Sequence, residues 1–268
     1  MQKKITSIAG FVFPVIFTFI TCLQTMAQSG APWNGKQCAV VLTYDDALNV
    51  HLDNAIPSLD SLGFRATFYL SAYFPGSAKR LDDWKAAARK GHELGNHTLF
   101  HPCDGRGPGR EWVGAERDLS KYTVQRMLDE IRMTNVFLKA LDGKDHRTFA
   151  YPCGDTHVGD SSFVQLITDD FAAARIVKNE LASSKVDLFT VPSYMVNGES
   201  GEEMISWVRK AMNEKKLLVI LFHGVGGEHA LNVDLREHRK LLAFLKKNES
   251  NIWVAPMVEV ADYIRKEK

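Results

Sequence analysis

The sequence has no surplus of either charge: 33 Lys and Arg stand against 32 Asp and Glu, a formal net charge of +1. That balance excludes the electrostatic footprint of a nucleic-acid binder or of a protein held on an anionic membrane surface. Nine prolines and nineteen glycines in 268 residues leave no stretch for a long flexible linker. Four cysteines are too few for a disulfide-dense scaffold. Long apolar runs are scarce as well, since residues 11–23 fall short of the roughly 20 that a membrane span requires. What is there, 45% hydrophobic, 10% aromatic and 24% charged residues, is the composition of an ordinary folded protein.

The first residues stand apart. Lys3 and Lys4, the apolar run 11–23 and the small-x-small triplet Thr25-Met26-Ala27 together read as a secretory signal peptide cleaved after Ala27. The expectation is a leader over residues 1–27 and a single exported domain over 28–268, periplasmic or extracellular, with no stable membrane span in the mature chain. A lipid anchor on Cys22 is the alternative, although Phe19-Ile20-Thr21 departs from the usual Leu-x-x-Cys lipobox. Cleavage leaves Cys38, Cys103 and Cys153, an odd count that in an oxidising compartment allows one bridge and one buried thiol. Cys38 heads an apolar strand and reads as the packed thiol.

Strand-like and helical patterns alternate along the rest. Residues 38–44, 66–70, 93–96, 148–151, 171–177, 217–222 and 251–255 read as strands. Residues 52–62, 81–89, 123–141, 161–168, 202–213, 235–247 and 258–265 read as helices. Repeated βα units imply a parallel sheet with helices outside it, and a chain of this length without a linker suits one α/β barrel. Active sites of such barrels lie at the carboxyl ends of the strands. Four strand ends carry reactive groups: Asp45-Asp46, His97 to His101, Pro152 to Asp155, and His223-Gly224.

Each also admits a plain structural role. Asp45 and Asp46 are adjacent carboxylates that repel, and helix capping accounts for one acid but not two. His97 and His101 are four apart, a spacing that brings both rings to one face of a single turn. With an aspartate from another strand end they make a two-His, one-carboxylate set with open positions, suited to zinc or another divalent transition metal. His223 emerges from the nearly unbroken apolar strand 217–222, where burial shifts proton affinity and suits a general acid or base. Taken singly, it reads rather as a core histidine satisfied by a backbone carbonyl.

Thr43-Tyr44-Asp45-Asp46, His97-x-x-x-His101-Pro102 and Leu221-Phe222-His223-Gly224, in that order, resemble the polysaccharide deacetylases of carbohydrate esterase family 4, the NodB-homology domain. Gly91-His92-Glu93-Leu94-Gly95-Asn96-His97 and Ala66-Thr67-Phe68-Tyr69-Leu70 strengthen the resemblance, which spans residues 33–264. It implies an α/β fold, a distorted (β/α) barrel in one domain, and metal-dependent removal of N-acetyl or O-acetyl groups from a poly- or oligosaccharide. Carried over by motif, Asp46, His97 and His101 would hold the metal, zinc with cobalt or nickel as alternatives. Asp45 would be the base that deprotonates the attacking water, and His223 the acid that protonates the leaving group. Cys153 would supply the backbone N–H for the oxyanion, with Tyr151 beside it in the pocket.

The sequence also departs from that pattern. Ala47 replaces the glycine that usually follows the two acids. Ala150-Tyr151-Pro152-Cys153-Gly154 lacks the third-motif arginine that steadies the base, and Arg175 is its expected substitute. The fourth motif has no clear counterpart; Asp187 is the nearest candidate to orient His223. Cys103 follows His101-Pro102 and Cys153 lies in the third motif, so the two loops would border one pocket and the two cysteines would pair. His51 and His238 could approach the pocket but read first as exposed helix positions, and Trp33, Trp84, Trp112, Trp207 and Trp253 read as packing residues. The partner is an acetylated glycan. The alternatives are a carbohydrate-binding protein on the same scaffold and a related hydrolase of non-peptide C–N bonds; the motifs are silent on oligomeric state.

Overall fold

In the computed structural model, which describes residues 1–2 and 32–267, parallel strands alternate with the helices that cover them. β1 (Cys38–Asp45) leads through a π-helical turn (His51–Ala55) into α1 (Ile56–Asp60), then β2 (Thr67–Leu70), α2 (Pro75–Lys79), α3 (Leu81–Arg89) and β3 (Glu93–Asn96). A loop runs to α4 (Val124–Asp142), β4 (Phe149–Ala150) and a small antiparallel pair, β5 (His157–Val158) and β6 (Ser161–Ser162). After β7 (Ala174–Arg175) and β8 (Tyr194–Met195) come α5 (Gly201–Glu214) and β9 (Leu217–Phe222). The short parallel pair β10 (Gly224–Val225) and β11 (Asn232–Val233), α6 (Leu235–Lys247), β12 (Ile252–Val254) and α7 (Met257–Lys266) complete the order. The expected leader lies outside the described residues apart from its first two. No helix among the described residues is long and apolar enough to cross a membrane.

The main sheet is parallel, ordered β7-β4-β3-β2-β1-β9-β8, with β12 alongside the first residues of β1. The segment entering β8 joins the two ends of that path. Val191 N–H donates to Ala174 O (3.0 Å) and Ile176 N–H to Val191 O (2.9 Å), so the sheet curls into a distorted (β/α) barrel. β1 and β9 are buried along their whole length, which is why both read as unbroken apolar runs: a parallel strand is covered on both faces.

The alternation of β1 sorts the core. Val40, Leu42 and Tyr44 pack with Val208 of α5 and Leu241 and Leu245 of α6. Ala39 and Val41 point the other way, toward Trp33, Val219 and Val260. Thr43 and Asp45 share the phase of Ala39 and Val41. The strand thus delivers one acid to the inside of the barrel and lets Asp46 begin the loop.

Most helices start and stop where the residues dictate. Thr123 caps α4 by accepting Arg126 N–H, and Gly143, at φ 74°, ends it. Ser200 and Glu203 form a reciprocal capping box on α5. Two expected elements differ. Residues 161–168 are not a helix but β6 followed by a short 3-10 turn (Val164–Ile167), and the strand expected over 171–177 shrinks to Ala174–Arg175. In both, burial of Phe163, Ile167 and Phe171 among the residues of α4 overrides the local pattern.

Candidate active site

The four reactive strand ends converge on one point. Asp46 leaves β1 with φ 78° and Ala47 follows at φ 52°, so Ala47 adopts, with a side chain, the left-handed conformation that glycine takes most readily. Asp46 N–H donates to Tyr69 O (3.1 Å). Gly76 of α2 lies hard against this turn, since a Cβ there would sit 1.7 Å from Ala47 O.

His97 and His101 meet by a route other than the expected helical turn. Residues 97–102 are loop, with Thr98 at φ 65° and His101 at φ 56°. Asn96 Oδ1 accepts Thr98 N–H (2.8 Å) and Thr98 Oγ1 accepts His101 N–H (2.9 Å); these bonds replace the helix ladder. The two rings stand edge to face with centroids 4.7 Å apart.

Asp46 joins the set with one oxygen. Its Oδ1 lies 3.7 Å from His97 Nε2 and 3.5 Å from His101 Nε2, and one ligand atom from each residue falls within 4.8 Å of the others. Asp46 Oδ1 is buried with no hydrogen-bond partner among the described residues. His97 Nδ1 bonds Ala150 O at 2.8 Å; a carbonyl only accepts, so the ring proton is on Nδ1 and the lone pair of Nε2 faces Asp46.

Burial pushes the Asp46 carboxyl up to about 7, with Asp45 adding to the rise and His229 and Arg175 opposing it. Burial holds His97 well below the ordinary imidazole value, helped by His101 and Arg175, and pushes His101 down to about 4. Neutral imidazoles are what a metal requires, and a cation would repay the charge on Asp46. The three residues fit a divalent transition metal on these grounds.

Asp45 is 3% exposed and bonded through Oδ2 to Arg175 Nη2. Its Oδ2 is 3.6 Å from His97 Nε2, while Oδ1 is buried without a hydrogen-bond partner among the described residues. Arg175 is fully buried at the end of β7, donates to Ser193 Oγ (3.4 Å) and lies over the Tyr69 ring. The substitute expected for the missing arginine therefore reaches the acid from a different strand.

Cys103 and Cys153 are joined by a disulfide, and Cys38 is a buried thiol pushed up to about 12 by burial. The bridge ties the loop of His101 to the loop after β4. Arg110 adds a second tie, donating to Asp155 Oδ2 (2.6 Å) and Cys153 O (3.2 Å). Cys153 has φ 56°.

His223, at the end of β9, places Nε2 3.9 Å from Asp46 Oδ2, on the side away from His97 and His101. Burial pushes its ring down to about 3, with Asp45 opposing and His229 and Arg175 adding to the fall.

Other expectations are corrected. Asp187 does not orient His223: its carboxylate accepts Phe189 N–H and Thr190 Oγ1–H in its own loop. Tyr151 does not line the pocket, because its ring is buried against Phe149 and Phe163 and its hydroxyl donates to Phe189 O. His51 and His238 are fully buried, not exposed. His51 Nε2 contacts His223 O at 2.7 Å and His238 Nε2 contacts Tyr44 OH at 2.8 Å. Trp33 and Trp84 are fully buried, but Trp112 is 64% exposed. The sequence reading missed His229, whose Nε2 is 3.9 Å from Asp46 Oδ2; its only signal was a histidine shortly after a strand-end histidine, behind Gly226-Gly227.

The chain is similar to several known proteins. The family model described as polysaccharide deacetylase matches residues 34–166. A curated relative, the uncharacterized protein YlxY of Bacillus subtilis (strain 168), is 29% identical over 106 residues, 40% of this chain but 28% of that protein. A Mycobacterium smegmatis protein assigned to the polysaccharide deacetylases has a similar fold, with TM-score 0.64, 13% identity, 87% of this chain and 91% of that one covered. A family 4 acetyl xylan esterase from Clostridium thermocellum, in complex with a cobalt ion, matches with TM-score 0.54 and 16% identity over 83% of this chain and 89% of that one.

Proposed function

The chain belongs to the polysaccharide deacetylase family through residues 34–166, and on that premise we propose that it is an exported, metal-dependent hydrolase that removes acetyl groups from a glycan. The observation that carries this reading is the convergence of Asp46, His97 and His101 within 4.8 Å around a buried, unpartnered carboxylate oxygen. Those three residues would hold the metal. The chemistry a divalent metal supplies in such a site is polarisation of the acetyl carbonyl and of the attacking water.

The chain's own groups do the rest. Asp45, anchored through Oδ2 by the Arg175 guanidinium, takes the proton of the attacking water on Oδ1, the oxygen that Arg175 leaves free. The Cys153 N–H, turned by its left-handed backbone, stabilises the oxyanion that forms on the acetyl oxygen. His223, beside Asp46 Oδ2 and neutral at rest because burial opposes its charging, takes up the proton that Asp45 has collected and passes it to the leaving amine or alkoxide, so that both residues end the cycle as they began. The same set serves an N-acetyl amide or an O-acetyl ester, the ester asking less of His223.

The test is acetate release from chitin-type, peptidoglycan-type and xylan-type acetylated glycans, by chelator-stripped protein and by protein reloaded with zinc, cobalt or nickel. Release by the reloaded protein alone, and its loss in Asp46→Asn, supports the reading. Metal-loaded protein that binds a glycan yet frees no acetate from any of them refutes it and favours a binding role. Export is checked by N-terminal sequencing of the mature protein, expected to begin at Gln28.

A further inference from the structure

His229 has no part in the chemistry above, yet the chain is built to hold it. The segment after Asp46 clamps the loop that carries it. Asn49 Nδ2 donates to Glu228 Oε1 (2.6 Å) and Val50 N–H to Glu228 Oε2 (2.8 Å). Asn54 Nδ2 donates to Val225 O (2.8 Å), and Gly227 N–H to Asn232 Oδ1 (2.8 Å). Between these anchors Glu228 takes φ 67°, a conformation that costs a non-glycine residue roughly 1 kcal/mol or more and persists only where the surroundings impose it. It turns His229 back over the site.

The ring then lies flat on His223, centroids 4.7 Å apart and planes 12° from parallel. Its chemistry follows from one bond. Leu231 N–H donates to His229 Nδ1 (3.0 Å), so Nδ1 carries the lone pair and Nε2 carries the proton. This is the reverse of His97, whose Nε2 is bare. His229 therefore turns an N–H, not a lone pair, toward Asp46 Oδ2. At 3.9 Å that oxygen is beyond hydrogen-bond distance, and Nε2–H has no acceptor among the described residues. The side chain is 32% exposed, so an incoming molecule can reach it.

We propose that His229 is a substrate-positioning residue that donates Nε2–H to an oxygen of the acetylated sugar, beside the leaving atom served by His223. The inference rests on the deacetylase reading and adds a contact to it. Glu228 is the anchor that keeps the donor in place.

The experiment compares wild type with His229→Ala, His229→Phe and His229→Gln on whichever acetylated glycan wild type turns over. Steady-state kinetics, zinc affinity by chelator competition and thermal midpoint are read for each. Loss of one neutral hydrogen bond predicts a fall in kcat/KM of about 3- to 10-fold for Ala. Phe, which keeps the stack on His223 without the N–H, should fall equally, and Gln, which restores an N–H, should recover at least half of the loss on a logarithmic scale. Zinc affinity should stay within about 2-fold throughout, as expected of a donor that ligates nothing. A Phe variant as active as wild type would assign the effect to stacking and overturn the proposal, as would an Ala variant of undiminished kcat/KM. Zinc affinity falling in step with activity would make His229 a ligand, which also overturns it. A metal-loaded wild type that frees no acetate removes the deacetylase reading itself, and the proposal with it.

Discussion

Replacing Arg175 by methionine tests the centre of the mechanism. The substitution keeps an apolar stem in a fully buried slot and removes the charge bonded to Asp45. Two costs follow. Breaking a buried ion pair by removing one partner destabilises by about 3–5 kcal/mol, a large share of the about 5–15 kcal/mol that holds a typical domain. The second cost is catalytic. Without its anchor the Asp45 carboxylate loses the contact that fixes its direction, and a misplaced catalytic group costs about 100-fold in kcat/KM. Acetate release with zinc saturation confirmed, beside urea unfolding, reads both effects. Arg175→Lys retains a charge without the fork to Ser193 and should fall between the two. An Arg175→Met protein that folds and keeps wild-type turnover would refute the reasoning.

Three other outcomes are expected. Asp46→Asn should lower zinc affinity at least about 100-fold by chelator competition, since Asn lacks the charge that a cation offsets; unchanged affinity would place the metal elsewhere. Gly76→Ala drives a Cβ to 1.7 Å from Ala47 O, so the turn carrying Asp46 must shift; a loss of about 2 kcal/mol in urea unfolding together with weaker zinc binding is the result sought, and wild-type values for both would contradict it. Burial pushes the His238 ring from the ordinary imidazole value near 6.5 down to about 3. Between those values the unfolded chain binds a proton that the folded one refuses, so this contribution is complete above pH 6.5 and is lost as the pH falls. Its size is on the order of 3 kcal/mol by about pH 4, and a His238→Leu protein whose unfolding free energy declines with acid as steeply as wild type would show that the cost lies elsewhere.

What the residues announce and what they conceal divides along contact range. β9 and α6 occupy the spans read from pattern, residues 217–222 and 235–247, because their apolar periods are long and uninterrupted. The site residues at strand ends were legible for a different reason: a parallel barrel sends every strand to the same rim, so Asp45, His97 and Arg175 had a common destination. What stayed hidden depends on partners far away in the chain. His51 looks like an exposed helix position until the carbonyl of His223, 172 residues on, is found against it. Asp187 turns back on its own loop. The contact between His97 and His101 is made by two left-handed residues, which a spacing of four suggests only as a helix. His229 is invisible because nothing in the sequence says that Asn49 and Val50 will hold Glu228.

Eight non-glycine residues among those described take positive φ, and six of them, Asp46, Ala47, Thr98, His101, Cys153 and Glu228, surround the site. Ala47, Thr98, Cys153 and Glu228 take a conformation that their own residue types disfavour, so the ligand arrangement belongs to the folded body and not to any short peptide cut from it. A cation that prefers this arrangement therefore favours the native chain over the denatured one by mass action, by about 2.7 kcal/mol at a hundredfold excess over its dissociation constant. The pocket doubles as a gauge of the whole molecule: the melting temperature of the chain, followed against free zinc, would report how faithfully distant parts of the barrel hold those six residues in conformations they would otherwise abandon.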